Sequence, residues 1–501
     1  MTFPLIKWPV AAAGLLVASL ALAGGGGKSA PNLWWKPGEG RTFPALLEYP
    51  NDHGVLRIEL EGGAIDTRDH PFFRPLGWNG RACVTCHQPA DGMSLSLPSI
   101  RRQWESVGVR DPLFAAYDGS NCPSLPQDKR SSHSLLLDHG LIRIARPWPP
   151  KDFAGTPVTP DFTIEVVRDP SGCNLDAGWG LTSADPHISV FRRPRPVANF
   201  KYIEAMGFAY DPKEGMPLRV DPETGKPVSG NLMADGRALS LTGQMREAGD
   251  THLQMLRRLD AEEIRRILDF EARIYVAQQQ DRTGGPLDAA GAEGGPHKLA
   301  ISPAGRLGSQ GVPVWSEFEA WEKLEAVVPG DAARTAWRQS VARGARIFRD
   351  RTFLITDSAG INSQIGFGNP VRNACAFCHN MSQMGMDVAP GQVDLGTTNQ
   401  PFADPAPHLP LFRITCLGKP NRHYGRTILT SDPGYALTTG RCADVGRITL
   451  QTLRGLAARA PYFSNGSAKD LRGIIDYYDR RYNIHYTEQE KQDLVNLLSA
   501  L

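Results

Sequence analysis

The chain has 501 residues, enough at roughly 150 residues per domain for two to four domains, so a small disulfide-stapled scaffold is excluded. Lysine and arginine total 55 against 53 aspartate and glutamate, and the resulting formal charge of +2 argues against a nucleic-acid partner. A hydrophobic fraction of 41% excludes a disordered chain, whereas 51 glycines and 40 prolines indicate long irregular connections between short elements.

The first 23 residues have the pattern of a secretory signal peptide. Lys7 gives a positive start, the stretch from Pro9 to Leu22 is apolar and too short to span a bilayer, and a small-residue cleavage site ends at Ala23. We therefore expect an exported product without stable membrane insertion, which in a Gram-negative host is periplasmic. An uncleaved interfacial anchor is the alternative.

Two pentapeptides match C-x-x-C-H, the attachment signature of c-type haem. They are Cys83-Val84-Thr85-Cys86-His87 and Cys375-Ala376-Phe377-Cys378-His379. Two thiols three residues apart on one helical turn reach the two vinyl groups of a porphyrin, and the adjacent histidine lies beneath the iron. The sequence therefore predicts two covalently bound haems, with His87 and His379 as proximal iron ligands. A redox dithiol beside an unrelated histidine is the alternative.

The other four cysteines allow three pairings. In an exported chain, sequence proximity favours Cys122 with Cys173 and Cys416 with Cys442, each closing a loop rich in glycine and proline. We expect both disulfides to be structural. Free buried thiols are the alternative.

Hydrophobic periodicity and capping signals predict the elements in between. Strands are expected at residues 55–60, 141–144 and 162–167, and helices at 100–107, 332–348 and 469–481. Asp260 with Glu263 forms a capping box that starts a helix running to about Gln280, and Thr487 with Glu490 starts a terminal helix.

The spacing of the two haem motifs predicts two domains. We expect an N-terminal haem domain at residues 24–282, a linker at 283–313 that contains Gly-Gly-Pro twice, and a C-terminal haem domain at 314–501. The predicted fold class is mainly α, with two cytochrome c-like domains, long irregular connections and a few short strands.

Four segments resemble the bacterial di-haem cytochrome c peroxidase superfamily, which includes the di-haem enzyme that matures the tryptophylquinone of methylamine dehydrogenase. They are residues 79–92, residues 191–199 followed by Asp235-Gly236-Arg237, the second haem motif, and Leu453-Arg-Gly-Leu-Ala-Ala-Arg-Ala-Pro-Tyr-Phe-Ser-Asn-Gly-Ser467. The resemblance implies that the N-terminal haem splits hydrogen peroxide. The C-terminal haem would pass electrons from a small donor such as a cytochrome c or a cupredoxin.

The chain departs from the family on the peroxide side. Family members have a Glu ten residues after a Gln; Gln244 matches the Gln, but the tenth residue on is Gln254, which cannot titrate. His252 is the nearest group that titrates near neutral pH, as a distal acid/base or an iron ligand, with a surface or satisfied core histidine as the alternative. His187 stands near the place of a displaceable ligand in some peroxidases, although a loop residue is the simpler interpretation.

Further departures concern the second haem and the path between haems. Ala234 replaces the Trp that precedes Asp-Gly-Arg in the family and bridges the haems, and Ser464 replaces a common His. The alignment places Tyr478 at the axial position where peroxidases have Met and the quinone-maturing enzyme has Tyr. The alternative ligands are Met381, Met384 and Met386, and the alternative role of Tyr478 is in the core of an amphipathic helix.

A calcium ion between the lobes is frequent in this family, and Asn199 matches one ligand position, although a turn residue is the simpler interpretation. The sequence thus favours an exported di-haem peroxidase. Two alternatives stay open: a superfamily oxidase or oxygenase acting on a protein or polymer, and a two-haem electron carrier in which His252 is an iron ligand.

Overall fold

Many short helices and strands, joined by irregular connections, make up the architecture. The computed structural model describes residues 33–151, 155–205, 231–303, 314–325, 330–363, 367–379 and 392–501, and the predicted signal peptide lies outside them. The helices are α1 (Leu97–Val107), α2 (Ala116–Gly119), α3 (Ser134–His139), α4 (Phe200–Ala205), α5 (Leu241–Ala248), α6 (Ala261–Arg273), α7 (Pro296–Ile301), α8 (Ala332–Asp350), α9 (Ala436–Thr439), α10 (Leu471–Tyr482) and α11 (Glu488–Ala500). The strands are β1 (Thr42–Phe43), β2 (Leu46–Pro50), β3 (Gly54–Leu60), β4 (Ile65–Asp66), β5 (Ile142–Pro147), β6 (Phe162–Arg168), β7 (His187–Arg192), β8 (Ile274–Asp281), β9 (Gly285–Pro286), β10 (Phe353–Ile355), β11 (Val371–Asn373), β12 (Gln392–Val393), β13 (Leu411–Cys416), β14 (Thr427–Thr430) and β15 (Ile448–Thr449).

The strand content corrects the predicted fold class. Helices make up 34% and strands 19% of the structure, and the strands are distributed over several small antiparallel sheets. Many of these strands have only two or three residues, which is too short for an alternating pattern in the sequence. The prediction of a mainly α chain was therefore wrong.

Two of the sheets organise the structure. A four-stranded sheet has the order β2-β3-β8-β9, and a three-stranded sheet has the order β14-β13-β6. In the second sheet, β6 lies before the predicted linker and β13 after it, and Phe162 is paired with Cys416. Residues Leu33–Leu501 form one compact unit. The domain boundaries expected from the sequence stay a prediction.

The predicted helix after Asp260 is confirmed at its start and wrong at its end. The Asp260 carboxylate accepts from Glu263 N at 2.9 Å, and the Glu263 carboxylate accepts from Asp260 N at 3.0 Å, as a capping box requires. The helix ends at Arg273, however, and Ile274–Asp281 forms β8. Pairing with β3 and a bond from Val276 N to Asn199 Oδ1 hold this segment extended, because tertiary contacts override local propensity.

The C-terminal helix is confirmed, and it packs against α8. Thr487 Oγ1 accepts from Glu490 N at 3.2 Å, which caps α11. The two helices approach closely at Gly344, where an added Cβ would lie 2.2 Å from the carbonyl oxygen of Asp493. This close approach explains why a glycine lies inside a long helix. The remaining predicted helices and strands are present, with ends shifted by a few residues.

The structure confirms both predicted disulfides. Cys122 and Cys173 are bonded with Cα atoms 5.0 Å apart, and Cys416 and Cys442 with Cα atoms 5.6 Å apart. The second disulfide fixes the end of β13 to the segment after α9. Both separations are typical of disulfides, which persist in oxidising compartments.

The two C-x-x-C-H motifs border mainly different hydrophobic cores, and Cys378 of the second motif packs against both. Cys83 packs against a core that includes Phe72 and Phe270, whereas Cys375 packs against one that includes Phe348 and Tyr482. Among the described residues, no helix has the length and apolar character needed to cross a membrane.

Candidate functional site

Both motifs fold into the same tight turn. In the first motif, the backbone N–H groups of Cys86 and His87 donate to the Cys83 carbonyl at 3.2 and 3.1 Å. In the second motif, Cys378 and His379 donate to the Cys375 carbonyl at 3.2 and 3.1 Å. Each turn brings two thiols and one imidazole to the same cavity wall.

The first cavity has an empty volume of about 1360 Å³, including space open to solvent. Gln244 and His252, the two residues that the sequence predicts to act in catalysis, lie in the same cavity as the first motif. Its lining includes Cys83, Cys86, His87, Arg237, Gln244 and His252. This brings together residues that are up to 169 positions apart in the sequence (252 − 83).

The second cavity has an empty volume of about 1350 Å³, again including space open to solvent. Its lining includes Cys375, Cys378, His379, Ser464, Tyr478 and Tyr482. The predicted ligand Tyr478 therefore lies in the cavity of the second motif. Met381, Met384 and Met386 lie outside the described residues.

The motif thiols do not have the properties of a redox dithiol. Neither motif contains an internal disulfide. Burial raises the pKa of Cys83 and Cys86, and it raises the pKa of Cys375 to about 11. Reactive dithiols need a lowered thiol pKa, so these environments disfavour that alternative.

His87 is oriented as a ligand through its second ring nitrogen. Nδ1 lies 3.2 Å from the Met93 carbonyl oxygen, which fixes Nδ1 as the protonated nitrogen. Burial lowers the pKa of His87 to about 4, which keeps the ring neutral. A neutral imidazole with one nitrogen anchored in this way is the usual form of a metal-binding histidine.

His252 is held by a buried carboxylate that sequence reasoning missed. Its Nδ1 lies 2.6 Å from Oδ2 of Asp118, and Asp118 Oδ1 is ion-paired with Arg81. Asp118 and Arg81 are almost fully buried, with 2% and 1% of the side chain exposed. Asp118 lies 134 residues before His252, and no motif spacing links the two. With Nδ1 on Asp118, Nε2 is the nitrogen available to the cavity.

The backbone around His252 is also fixed. The residue lies in a π-helical turn, Gly249–Leu253, and its carbonyl accepts from Asn79 Nδ2 at 3.0 Å and from Arg81 Nη1 at 3.1 Å. Burial lowers the pKa of His252 to about 4, and the charges of Arg237 and Arg81 act in the same direction. Burial thus favours the neutral ring, whereas the nearby carboxylates of Glu247 and Asp118 favour the protonated one.

Gln254 and His187 are not among the residues that line the first cavity. Gln254 follows the π turn, and its Oε1 accepts from Asn79 Nδ2 at 3.3 Å. His187 begins β7, and its Nδ1 lies 2.7 Å from the Asp185 carbonyl oxygen. The lining of the first cavity contains neither residue. His187 is therefore useful as a control in experiments on His252.

The Asp235-Gly236-Arg237 motif forms a buried charge network at the first cavity. Asp235 accepts from Arg192 Nη1 at 2.8 Å and from Arg237 Nη1 at 2.6 Å. Although burial opposes it, the charges of Arg237 and Arg192 lower the pKa of Asp235. Arg237 also donates to Glu247 Oε1 at 2.5 Å, which fixes a guanidinium group in the cavity wall near His252.

The side chain of Tyr478 lies in an aromatic and apolar environment. Its ring centroid is 6.2 Å from those of Phe463 and Tyr482 and 6.0 Å from that of Tyr477. Burial raises the pKa of Tyr478 well above its usual range. The hydroxyl is therefore a neutral phenol unless a cation binds it.

One segment of backbone separates the two cavities. Thr452 lines both of them, and Thr449 N donates to the Ala234 carbonyl at 2.9 Å. Ala234 itself lines the first cavity. The position where the family has a bridging Trp therefore lies against this shared wall.

Three arginines beside the shared wall, of which Arg193 and Arg459 are buried and Arg195 is half-buried, are bonded mainly to backbone carbonyls. Arg195 Nη2 donates to Leu450 O at 2.6 Å, Arg193 Nη1 donates to Gly140 O at 2.6 Å, and Arg459 donates to Thr452 O. Burial lowers the pKa of Arg193 and Arg459 to about 10 and that of Arg195 to about 9. Nε of Arg459, in the wall of the second cavity, is buried and lacks a hydrogen-bond partner within the described structure.

The two motifs imply c-type haem, and the residues of both cavities match what that cofactor needs. Thiols, one oriented imidazole and largely apolar walls suit an iron porphyrin attached through two thioether bonds. The buried guanidinium groups suit its two carboxylates, because buried positive charge needs a negative partner. The residues present therefore fit a c-type haem.

Asn199 is engaged in structural hydrogen bonds. Its Nδ2 donates to Val276 O at 3.1 Å and its Oδ1 accepts from Val276 N at 3.0 Å. Among the described residues, no cluster of three or more His, Cys, Asp or Glu side chains suited to a metal ion was found. Calcium binding stays a prediction.

Comparisons with known proteins give weak likenesses. No family model matches the sequence, and no curated protein matches it. A solved structure of a MauG-like protein associated with microbial copper homeostasis is 16% identical, covers 60% of this chain and 80% of that chain, and has a TM-score of 0.28. The hydrazine synthase of Kuenenia stuttgartiensis is 14% identical, covers 81% of this chain and 93% of that chain, and has a TM-score of 0.30. Neither likeness is high enough to define the fold or the function of this chain.

Proposed function

We propose that this chain is an exported oxidoreductase with two covalently bound c-type haems. It reduces hydrogen peroxide in the first cavity, and electrons enter through the second. The observation that carries the proposal is the His252–Asp118 pair, because it supplies a proton carrier in the same cavity as Cys83, Cys86 and His87. The compartment is the periplasm, and the electron donor is a small redox protein such as a cytochrome c or a cupredoxin.

The residues that would hold the cofactors are those of the two motifs. Cys83 and Cys86 would form one pair of thioether bonds and Cys375 and Cys378 the other. His87 and His379 would bind the irons, and Tyr478 would be a further ligand in the second cavity. A bound haem iron supplies the redox chemistry and the position at which peroxide binds.

The protein supplies the proton transfer. Reduction of hydrogen peroxide consumes two electrons and two protons and yields two waters. We assign to His252 Nε2 the removal of the proton from one peroxide oxygen and its delivery to the oxygen that leaves as water. Asp118 Oδ2 holds Nδ1–H, which keeps Nε2 directed to the cavity and stabilises the charged ring once it has accepted the proton.

This assignment replaces the glutamate expected from the family. A carboxylate buried directly in an apolar cavity would be held neutral by its environment. A neutral imidazole can accept a proton, and the Asp118 carboxylate at Nδ1 stabilises the charged ring against the burial that lowers its pKa. Gln244 and Arg237, in the same wall, can donate hydrogen bonds to bound peroxide.

The same pair supports one other function. A carboxylate behind Nδ1 also orients histidines that bind metals. If His252 Nε2 binds the first iron, the chain is a two-haem electron carrier without peroxidase activity.

The substitution His252→Ala separates the two functions. The protein is produced in a host that attaches c-type haem, and optical and paramagnetic resonance spectra are recorded with and without peroxide. In a peroxidase, the variant keeps an openable first iron and loses about 10²- to 10⁴-fold in kcat/KM for peroxide. In a carrier, the variant instead gains a high-spin iron that binds added ligands.

The control is His187→Ala, which removes a histidine from outside both cavities and leaves rate and spectrum unchanged. Two low-spin irons that are inert to peroxide in every redox state of the unmodified protein would contradict the peroxidase proposal.

A further inference from the structure

A tyrosine beside the second cavity is hydrogen-bonded to a buried carboxylate. Tyr424 lies in the loop between β13 and β14, and its Oη donates to Asp394 Oδ2 at 2.5 Å. Asp394 is fully buried and also accepts from Asn399 Nδ2 at 3.0 Å and from Gly396 N at 2.7 Å. Tyr424 itself is only partly buried. The pair therefore connects a buried base to a ring that reaches the protein surface.

The pair is close to the second cavity. Val393 and Leu395, the neighbours of Asp394 in the chain, both line that cavity. The Asp394 charge also contributes to the raised pKa of Tyr482, a further lining residue. Asp394 is thus located directly behind the cavity wall.

A series of side chains links the cavity to Tyr424. The ring centroids of Tyr478 and Tyr482 are 6.2 Å apart. The Arg481 guanidinium lies 4.6 Å from the Tyr482 centroid and 3.6 Å from that of Phe402. The centroids of Phe402 and Tyr424 are 5.8 Å apart. The side chains thus form a continuous series of neighbours, with 3.6 to 6.2 Å between successive ring centroids or between the guanidinium and a centroid.

We propose that Tyr424 is a redox-active tyrosine that exchanges electrons with the second cavity and uses Asp394 as its proton acceptor. The inference rests on the proposed function, in which each peroxide withdraws two electrons from the protein. Tyr424 gives up one electron toward the cavity while its Oη proton moves to Asp394 Oδ2. A one-electron donor in solution then reduces the neutral tyrosyl radical, and the proton returns to Oη.

The choice of Tyr424 follows from its hydrogen-bond partner. Tyr477 donates to the Leu395 carbonyl at 2.8 Å, and Tyr482 is bonded to Ser358 Oγ at 2.8 Å. Neither a carbonyl nor a hydroxyl can accept a proton near neutral pH. Oxidation of these two rings would leave an uncompensated buried charge, whereas a carboxylate neutralises the charge by taking the proton. Burial raises the pKa of Asp394, which makes it a stronger base than an exposed carboxylate.

The test is rapid-freeze paramagnetic resonance of the ferric two-haem protein, labelled with β-deuterated tyrosine and mixed with hydrogen peroxide. The unmodified protein should give a radical signal that narrows with the label, as only a tyrosyl radical does. Tyr424→Phe, which keeps the ring, should lose that signal. Tyr477→Phe is the matched control, because it removes a neighbouring hydroxyl bonded to a carbonyl, and it should retain the signal. Asp394→Asn keeps the Tyr424 hydroxyl, removes the base and should also lose the signal.

Haem absorbance recorded on the same samples distinguishes a failure of the proposed function from a failure of the inference about Tyr424. Bands that do not respond to peroxide would overturn the proposed function and this inference with it. Bands that respond, without a tyrosyl signal or with an unchanged signal in Tyr424→Phe, would overturn the inference alone. If Asp394→Asn does not fold, the pair of Tyr→Phe variants still decides the outcome.

Discussion

Each cavity contains the same kind of C-x-x-C-H turn, but the residues opposite that turn differ between the two cavities. Both turns have backbone bonds of the same length, and the two empty volumes are nearly equal. The first cavity faces the His252–Asp118 pair and the Arg237 guanidinium, whereas the second faces Tyr478 and its aromatic neighbours. On the proposed function, the C-x-x-C-H motif determines where a haem would be attached. The residues that would control proton supply are contributed by distant parts of the chain.

The largest expected effect comes from removing one attachment site at a time. Replacing Cys83 and Cys86 with Ala should leave a protein with one covalent haem, and replacing Cys375 and Cys378 should do the same at the other cavity. Intact mass and haem staining after denaturation measure the number bound. Reactivity with peroxide should be lost in the variant without Cys83 and Cys86, which keeps only the second haem. It should persist in the variant without Cys375 and Cys378, which keeps the first haem. Equal reactivity of the two single-haem proteins would remove the distinction between the cavities.

The next effect concerns the aspartate behind His252. Asp118→Asn preserves size but removes the charge that compensates Arg81 and stabilises the protonated ring. We expect kcat/KM for peroxide to fall about 10- to 100-fold, with the second haem's spectrum unchanged. Stopped-flow kinetics with peroxide in excess would measure the change. An unchanged rate would show that Asp118 does not position the proton carrier.

A smaller effect is expected from Tyr478→Phe in the second cavity. Loss of an anionic oxygen ligand favours the reduced iron, so the potential of the second haem should rise by roughly 0.1 V within the ~0.8 V range that axial ligands span. Spectroelectrochemical titration measures both haems in one experiment. The first haem should keep its potential, and a shift confined to it would place Tyr478 outside the coordination sphere.

The smallest effect lies outside both cavities. His139 and His408 are stacked with ring centroids 3.5 Å apart, near Asp138, Arg101, Lys469 and Arg168. Burial, and then the charge of His139, lower the pKa of His408 to about 4. Because the folded pKa is below the unfolded value of about 6.5, the unfolded chain binds more protons between these values, and stability is lost as the pH falls through this range.

The substitution His408→Asn should reduce the acid-induced loss in the free energy of unfolding by about 1 kcal/mol. This figure is smaller than the full pKa shift of His408 would give, because the ring is half-exposed. Urea unfolding at pH 7 and pH 5 measures the difference. Neither haem's reactivity should change. A variant that loses stability with acid as steeply as the unmodified protein would contradict the assignment.

The features of the fold that could be predicted from the sequence depend on residues close together in the chain. The disulfides follow from the compartment and from sequence proximity, and the capping boxes at Asp260 and Thr487 depend on residues three positions apart. His252, which lines the first cavity, was a candidate because it is the titratable group nearest to the tenth residue after Gln244. Its partner Asp118 was not, because a bond across 134 residues depends on the completed fold.

The difference between short-range signals and long-range contacts also explains why the predicted fold class was wrong. Ile274–Asp281 continues a helical pattern, yet it becomes a strand because β3 and Asn199 satisfy its backbone from outside. Pairing of β6 with β13 likewise joins segments more than 240 residues apart. Local periodicity carries no information about such partners.

The π turn at Gly249–Leu253 makes the chemistry of the first cavity sensitive to chain length. A π turn accommodates one residue more than an α-helical turn. Deleting a single residue there would restore regular helix and rotate His252 by about 100° away from Asp118. On the proposed function, loss of one codon at this turn would remove the proton carrier from the first cavity without altering either cysteine pair.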